Sequence, residues 1–243
     1  MTDKSSTPGS PIIDSPIIVA LDYADPEAMM SLVNNLKPEL CRLKVGFELF
    51  TAHGPGIVEK LMARGFEVFL DLKFHDIPNT VAHACQVAAD MGVWMINVHA
   101  LGGKRMMSAA REAIEASANQ PYLIAVTILT SHSDEELAEL GIQGSAGDNV
   151  LRLAGLAMES GLDGVVCSPR EAPVLREKFP QSMLVTPGVR LETSQGDDQR
   201  RTMTPVEAVA AGSSYLVIGR PITQALDPLQ ALMYIRSTLG LTG

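Results

Sequence analysis

Cysteine is scarce in this chain. Cys41, Cys85 and Cys167 are widely separated, odd in number and without C-x-x-C spacing, so neither a disulfide framework nor a thiolate zinc site is indicated, and a reducing cytoplasm fits best. The histidines, His53, His75, His83, His99 and His132, fall into no H-E-x-x-H or comparable ligand spacing, which argues against a histidine metal site. His75 reads as a packing or hydrogen-bonding residue. No basic run occurs and the net charge is −9, which argues against a nucleic-acid or anionic-membrane partner. Any bound anion must be held by local donors, which points to a small-molecule substrate. No stretch reaches transmembrane length, and the opening Met1–Pro16 is rich in Ser, Pro and Asp without the apolar core of a leader, so residues 1–16 are expected to be a flexible tail.

Apolar residues, by contrast, are plentiful. At 46% of 243 residues they suffice for the core of one large domain, expected over 17–243. Ile17–Leu21 is a continuous aliphatic run, as in a strand buried on both faces, and it stops at Asp22. Helix-spaced Met30, Val33 and Leu36 follow, then a strand over 41–45 containing Lys44, and a helix over 55–64 closed by Gly65. Further strands are read at 68–73, 94–99, 122–128, 164–167, 183–186 and 215–218. Helices between them are read at 80–90, 104–118, 134–140, 148–160, 169–178 and 205–211, with a last helix after Pro221. Eight strands alternating with helices over roughly 250 residues predict an α/β fold, a single-domain (β/α)8 TIM barrel.

The organising stretch is Phe69-Leu-Asp-Leu-Lys-Phe-His-Asp-Ile-Pro-Asn-Thr80. Two-residue periodicity puts Asp71 and Lys73 on one face of the third strand and Val68, Leu70 and Leu72 on the other. A strand-end ion pair would explain Asp71 and Lys73, and a helix N-cap would explain Asp76 or Asn79, each taken singly. Together they are harder to dismiss, because unpaired charge is costly to bury. In a barrel the C-terminal strand ends become neighbours, so Asp22, Lys44, Asp71 and Lys73 are expected to form an alternating array of carboxylates and ammoniums, which Asp76 could extend. Each lysine flanked by acids favours its protonated form, which makes Lys73 a candidate general acid toward a carbanion.

A second constellation follows strands seven and eight: Gly188 to Arg190, then Gly219-Arg220-Pro221. Barrels commonly hold phosphate there, on backbone N–H groups at a helix start with arginine supplying charge. The polar stretch Leu191–Thr202 lacks hydrophobic periodicity and reads as a lid, with Gln199 as a phosphate donor. Thr130 and Ser131, beyond strand five, could read a base or sugar edge, or could cap the helix at Asp134.

The run Asp71-Leu-Lys-Phe-His-Asp76-Ile-Pro-Asn79-Thr80 resembles the D-x-K-x-x-D-x-x-N-T signature of the orotidine 5'-phosphate decarboxylase family, in its bacterial form. The likeness extends to Ala20-Leu-Asp22, Leu43-Lys44-Val-Gly46, Thr186-Pro-Gly-Val-Arg190, Gly196-Asp-Asp-Gln-Arg200 and Val217-Ile-Gly-Arg-Pro221. Asp197-Asp198 makes the lid motif one residue longer than the family's G-D-Q-R. The resemblance implies cofactor-free and metal-free decarboxylation of orotidine 5'-monophosphate to uridine 5'-monophosphate, the last step of de novo pyrimidine synthesis, by a cytoplasmic homodimer. It implies that Lys73 protonates C6, that Asp71 lies near the leaving carboxylate, and that Asp22 and Lys44 meet the ribose. It further implies that Asp76 and Thr80 reach the partner's site, that Thr130 meets the pyrimidine, and that Arg190, Gln199, Gly219 and Arg220 serve lid and phosphate. Two rivals are a Mg²⁺-dependent aldolase resembling 3-hexulose-6-phosphate synthase, against which Lys44 and Asn79-Thr80 argue, and a non-catalytic phosphate-binding barrel.

Overall fold

A computed structural model describes residues 15–190 and 203–241. Eight parallel strands close into a barrel in sequence order: β1 (Ile17–Leu21), β2 (Arg42–Val45), β3 (Val68–Phe74), β4 (Met95–His99), β5 (Tyr122–Val126), β6 (Gly164–Val166), β7 (Met183–Thr186) and β8 (Tyr215–Ile218). Around them run α1 (Pro26–Asn34), α2 (Phe47–His53), α3 (Pro55–Met62), α4 (Pro78–Asp90), α5 (Gly103–Glu115), α6 (Asp134–Glu139), α7 (Ala146–Glu159), α8 (Ala172–Lys178), α9 (Pro205–Ala210), α10 (Arg220–Thr223) and α11 (Pro228–Thr238). None of the described helices is long and apolar enough to cross a membrane.

The aliphatic strand runs are explained by burial on both faces. Ile17, Val19 and Leu21 pack outward in the core shared with the helices, while Ile18 and Ala20 pack inward with Phe69, Met95, Ile124, Val185 and Val217. The bottom of the barrel is closed by Arg42, whose guanidinium lies 4.4 Å from the Trp94 ring centroid and 5.2 Å from that of Tyr215, with Nε 2.7 Å from Glu67 Oε2. With that end plugged and the middle filled by aliphatics, polar side chains on the inward face have room only at the C-terminal mouth.

Four local expectations need correction. Helix α2 follows Gly46 where no helix is read from the sequence; it buries only Leu49 and has no side-chain cap. Strand β5 ends at Val126, short of Ile128. Helix α4 starts at Pro78, earlier than Thr80, because proline at the first helical position surrenders only an N–H that has no partner there. The cap positions also differ: Ile77 precedes α4 with no side-chain cap, so neither Asp76 nor Asn79 caps it, and Ser133 with Glu136 forms the capping box of α6, which frees Thr130 and Ser131 from that role.

Candidate active site

Strand β3 carries the chemistry past the point where its pairing is regular. Phe69 and Leu70 pair with Met95 and Ile96, but the next match is Phe74 with Val98, so Asp71, Leu72 and Lys73 stand opposite Asn97 alone. Strict alternation therefore stops at Asp71. Lys73 adopts φ 47°, and among the described residues it is the sole non-glycine with positive φ. For a residue with a Cβ such a conformation costs about 1–3 kcal/mol and persists only where surroundings over-determine it.

The distortion turns the Lys73 ammonium back onto its own strand. Lys73 Nζ donates to Asp71 Oδ1 at 2.7 Å, Lys44 Nζ lies 3.4 Å from Asp71 Oδ2, and Lys44 Nζ donates to Asp22 Oδ1 at 3.2 Å. The sequence-read array of Asp22, Lys44, Asp71 and Lys73 is thus one continuous chain of contacts. It grades from interior to mouth, with side-chain exposure of 10% at Lys44, 13% at Asp71, 26% at Lys73 and 66% at Asp22. Gly46 leaves the room this needs: a Cβ there would stand 3.0 Å from Lys44 Nζ.

Burial alone would push the Asp71 carboxyl up, but the Lys44 and Lys73 cations and hydrogen bonds from Lys73 and Asn97 outweigh it and hold Asp71 below the usual carboxylate range. Burial likewise works against charge on Lys44, and is overcome by Asp71 and Asp22, which lift it above the ordinary lysine value. The His99 imidazole, beside this network, is pushed down to about 4 by burial and then by the neighbouring His75, Lys73 and His132. The His75 ring stacks on it at 5.4 Å.

A cavity of about 300 Å³ opens over the network, at the lower end of small-molecule sites. Asp22, Lys44, Asp71 and Lys73 line one side. Thr130, Arg190, Gly219 and Arg220 line it too, together with the apolar Val126, Ile128, Val166, Val185, Pro187 and Val217. A Cβ on Gly219 would meet Ala20 and Asp22 only at 3.7 and 3.9 Å, ordinary contacts. Asp76 and Thr80 are exposed and lie outside this lining, and Asp76 Oδ1 accepts from the Ile77 N–H at 2.6 Å. Gln199, the lid over 191–202 and residues 1–14 of the expected tail lie outside the described residues. Ser15 and Pro16 are instead tied to the barrel, the Ser15 carbonyl accepting from Arg42 Nη1 at 2.6 Å and the Pro16 carbonyl from the Leu216 N–H at 2.8 Å.

Two site residues go unread in the sequence. Asn97, 1% exposed, contacts both Asp71 and Lys73; it could have been found as the one amide on the inward face of an aliphatic strand. Phe47 holds its ring centroid 5.0 Å from Lys73 Nζ, a cation–π contact that depends on the unread helix α2.

The family model described as "Orotidine 5'-phosphate decarboxylase / HUMPS family" matches residues 15–235. Among curated proteins, orotidine 5'-phosphate decarboxylase of Laribacter hongkongensis is 61% identical over 227 residues, 93% of each chain. That of Hydrogenovibrio crunogenus is 58% identical over 93% of this chain and 97% of its own. Among solved structures, orotidine 5'-phosphate decarboxylase from Lactobacillus acidophilus is 40% identical, covers 92% of this chain and 98% of its own, and superposes with a TM-score of 0.82.

Proposed function

The chain belongs to the orotidine 5'-phosphate decarboxylase / HUMPS family, and we propose that the Asp22–Lys44–Asp71–Lys73 network is where its reaction takes place. The reaction is the decarboxylation of orotidine 5'-monophosphate to uridine 5'-monophosphate and carbon dioxide (EC 4.1.1.23), in pyrimidine biosynthesis. What carries the site assignment is the unbroken run of contacts from Asp22 to Lys73 along one wall of a single cavity.

In this reading the bond from C6 to the carboxylate carbon breaks, carbon dioxide leaves, and the electron pair stays on C6. No ring group delocalises that pair well, so the required barrier reduction lies toward the upper end of the roughly 8–23 kcal/mol that enzymes commonly supply. Lys73 Nζ delivers a proton to C6 and recovers one from solvent. Asp71, kept ionised by two cations, lies near the substrate carboxylate, and the crowding of like charge is relieved as neutral carbon dioxide departs. The array is set before the substrate arrives, so it needs little reorganisation during the reaction. Asp22 and Lys44 hold the ribose, Thr130 meets the pyrimidine, and Arg190, Gln199, Gly219 and Arg220 hold phosphate and lid. Remote phosphate binding then contributes to turnover as well as affinity.

The same reading makes the enzyme a cofactor-free cytoplasmic homodimer, with one catalytic domain behind a tail that ends before Ser15, and no nucleic-acid or membrane partner. Asp76 and Thr80 serve the partner's cavity. Their position outside the lining of their own cavity supports this, as do the exposed apolar side chains of Ile77, Val87 and Leu101, 67%, 63% and 42% accessible on the loop before α4, on α4 and after the adjacent β4.

The test is to follow loss of orotidine 5'-monophosphate absorbance in excess EDTA while measuring uridine 5'-monophosphate and carbon dioxide. One of each per substrate consumed is expected. No turnover in EDTA, with activity on a sugar phosphate restored by Mg²⁺, would replace this reading with the aldolase.

A further inference from the structure

We infer that Asn97 is a positioning residue for the decarboxylation: its side-chain amide holds Lys73 in its left-handed backbone conformation and fixes the Asp71 carboxylate against it. The inference rests on the site assignment above and concerns a residue that never meets the substrate.

Between the matched pairs Leu70–Ile96 and Phe74–Val98, three residues of β3 face one of β4. A regular ladder cannot run through such a mismatch, so backbone groups there need other partners. Asn97 supplies them. Its Oδ1 accepts from the Lys73 backbone N–H at 2.7 Å, and its Nδ2 donates to Asp71 Oδ1 at 2.7 Å. That same carboxylate oxygen receives Lys73 Nζ, also at 2.7 Å. A closed ring results, from the Lys73 backbone through the Asn97 amide and the Asp71 carboxylate to the Lys73 ammonium. The two ends of one lysine are thus referred to one rigid amide.

Each part of that ring needs an amide at position 97. A strained φ of 47° at Lys73 is retained only if something outside the residue holds it. The acceptor must face an N–H and the donor must face a carboxylate, a pairing that an amide meets and that neither a carboxylate nor an aliphatic side chain can meet. At 1% exposure, water cannot replace either contact.

The experiment compares Asn97→Ala and Asn97→Asp with the wild type in steady-state decarboxylation and in binding of uridine 5'-monophosphate. For Asn97→Ala, kcat is expected to fall about 100-fold, as for a displaced reacting group, with product affinity retained, because the phosphate and ribose contacts lie elsewhere in the cavity. Asn97→Asp keeps the acceptor for the Lys73 N–H but sets a second carboxylate against Asp71. The two can share a proton at low pH and repel once it is lost. Its kcat is therefore expected to fall as pH rises, along a limb the wild type lacks.

Unchanged kcat in Asn97→Ala would overturn the inference, and so would a loss of kcat matched by an equal loss of product affinity, which marks a general structural defect. Should the alanine variant not fold, Asn97→Asp decides alone, and a pH profile parallel to that of the wild type overturns the inference. An inactive wild type in the same assay refutes the decarboxylase reading itself, whereas an active wild type beside fully active variants refutes only the role of Asn97.

Discussion

Replacing Lys73 by alanine is expected to lower kcat about 10⁴-fold, the upper range for loss of a positioned general acid, equivalent to about 5 kcal/mol of barrier. The side chain places a cation within 2.7 Å of Asp71, and in the proposed mechanism it also supplies the proton for C6. Its removal therefore strips the site of a reactant and loosens the carboxylate. Folding stability should change little, by about 1 kcal/mol or less. The Lys73 side chain is a quarter exposed, and Asp71 keeps its contacts with Lys44 and Asn97. Stopped turnover with an unshifted unfolding midpoint is the expected pair of results. Residual kcat above about one-tenth of wild type would mean that another group protonates C6.

Asp71→Asn tests the other half of the array. The shape is kept, but the two ammoniums lose the anion between them, and kcat is expected to fall about 10³-fold. A second consequence appears in stability. In the wild type the folded-state pKa of Lys44 is raised above its ordinary 10.5, so its contribution to stability is present below that value and is lost as pH rises through the folded pKa. In Asp71→Asn, burial, which opposes charge on Lys44, is countered only by Asp22, a carboxylate 66% exposed and well screened. The folded pKa of Lys44 is then expected to drop, and to fall below its unfolded value where burial outweighs Asp22. The unfolded chain binds more protons in that window, and stability rises with pH. Urea unfolding from about pH 8 to 10 should show the variant gaining on the wild type as pH increases. A constant or widening deficit would mean that Asp71 does not govern the charge on Lys44.

Much of the site was legible because it obeys local rules. Charged residues at or near the ends of largely apolar runs, Asp22, Lys44 and Asp71, mark strands that leave a core at its mouth, and the alternation of eight such runs with helices sufficed to bring those residues together. What escaped depends on contacts between segments distant in the chain. The positive φ of Lys73 has no signature in its neighbours; it comes from a register slip between β3 and β4. Asn97 matters because of that slip, and in the sequence it is only a polar residue in a strand. Helix α2 was invisible because two short turns with one buried residue carry no periodicity. Asp76 was readable as part of a motif, whereas the role proposed for it in a partner's cavity was not, since periodicity along one chain says nothing about a second copy.

The most direct test of the account takes two variants, Lys73→Ala and Asp76→Ala, each nearly inactive alone, and mixes them in equal amounts under conditions that dissociate and reform dimers. If each cavity combines Lys73 of one protomer with Asp76 of the other, half of the dimers are hybrids and each hybrid holds one intact site of two. About a quarter of wild-type activity should then return. A mixture that stays as inactive as its components, with hybrid dimers shown to be present, would contradict a reacting centre built across two copies of this barrel.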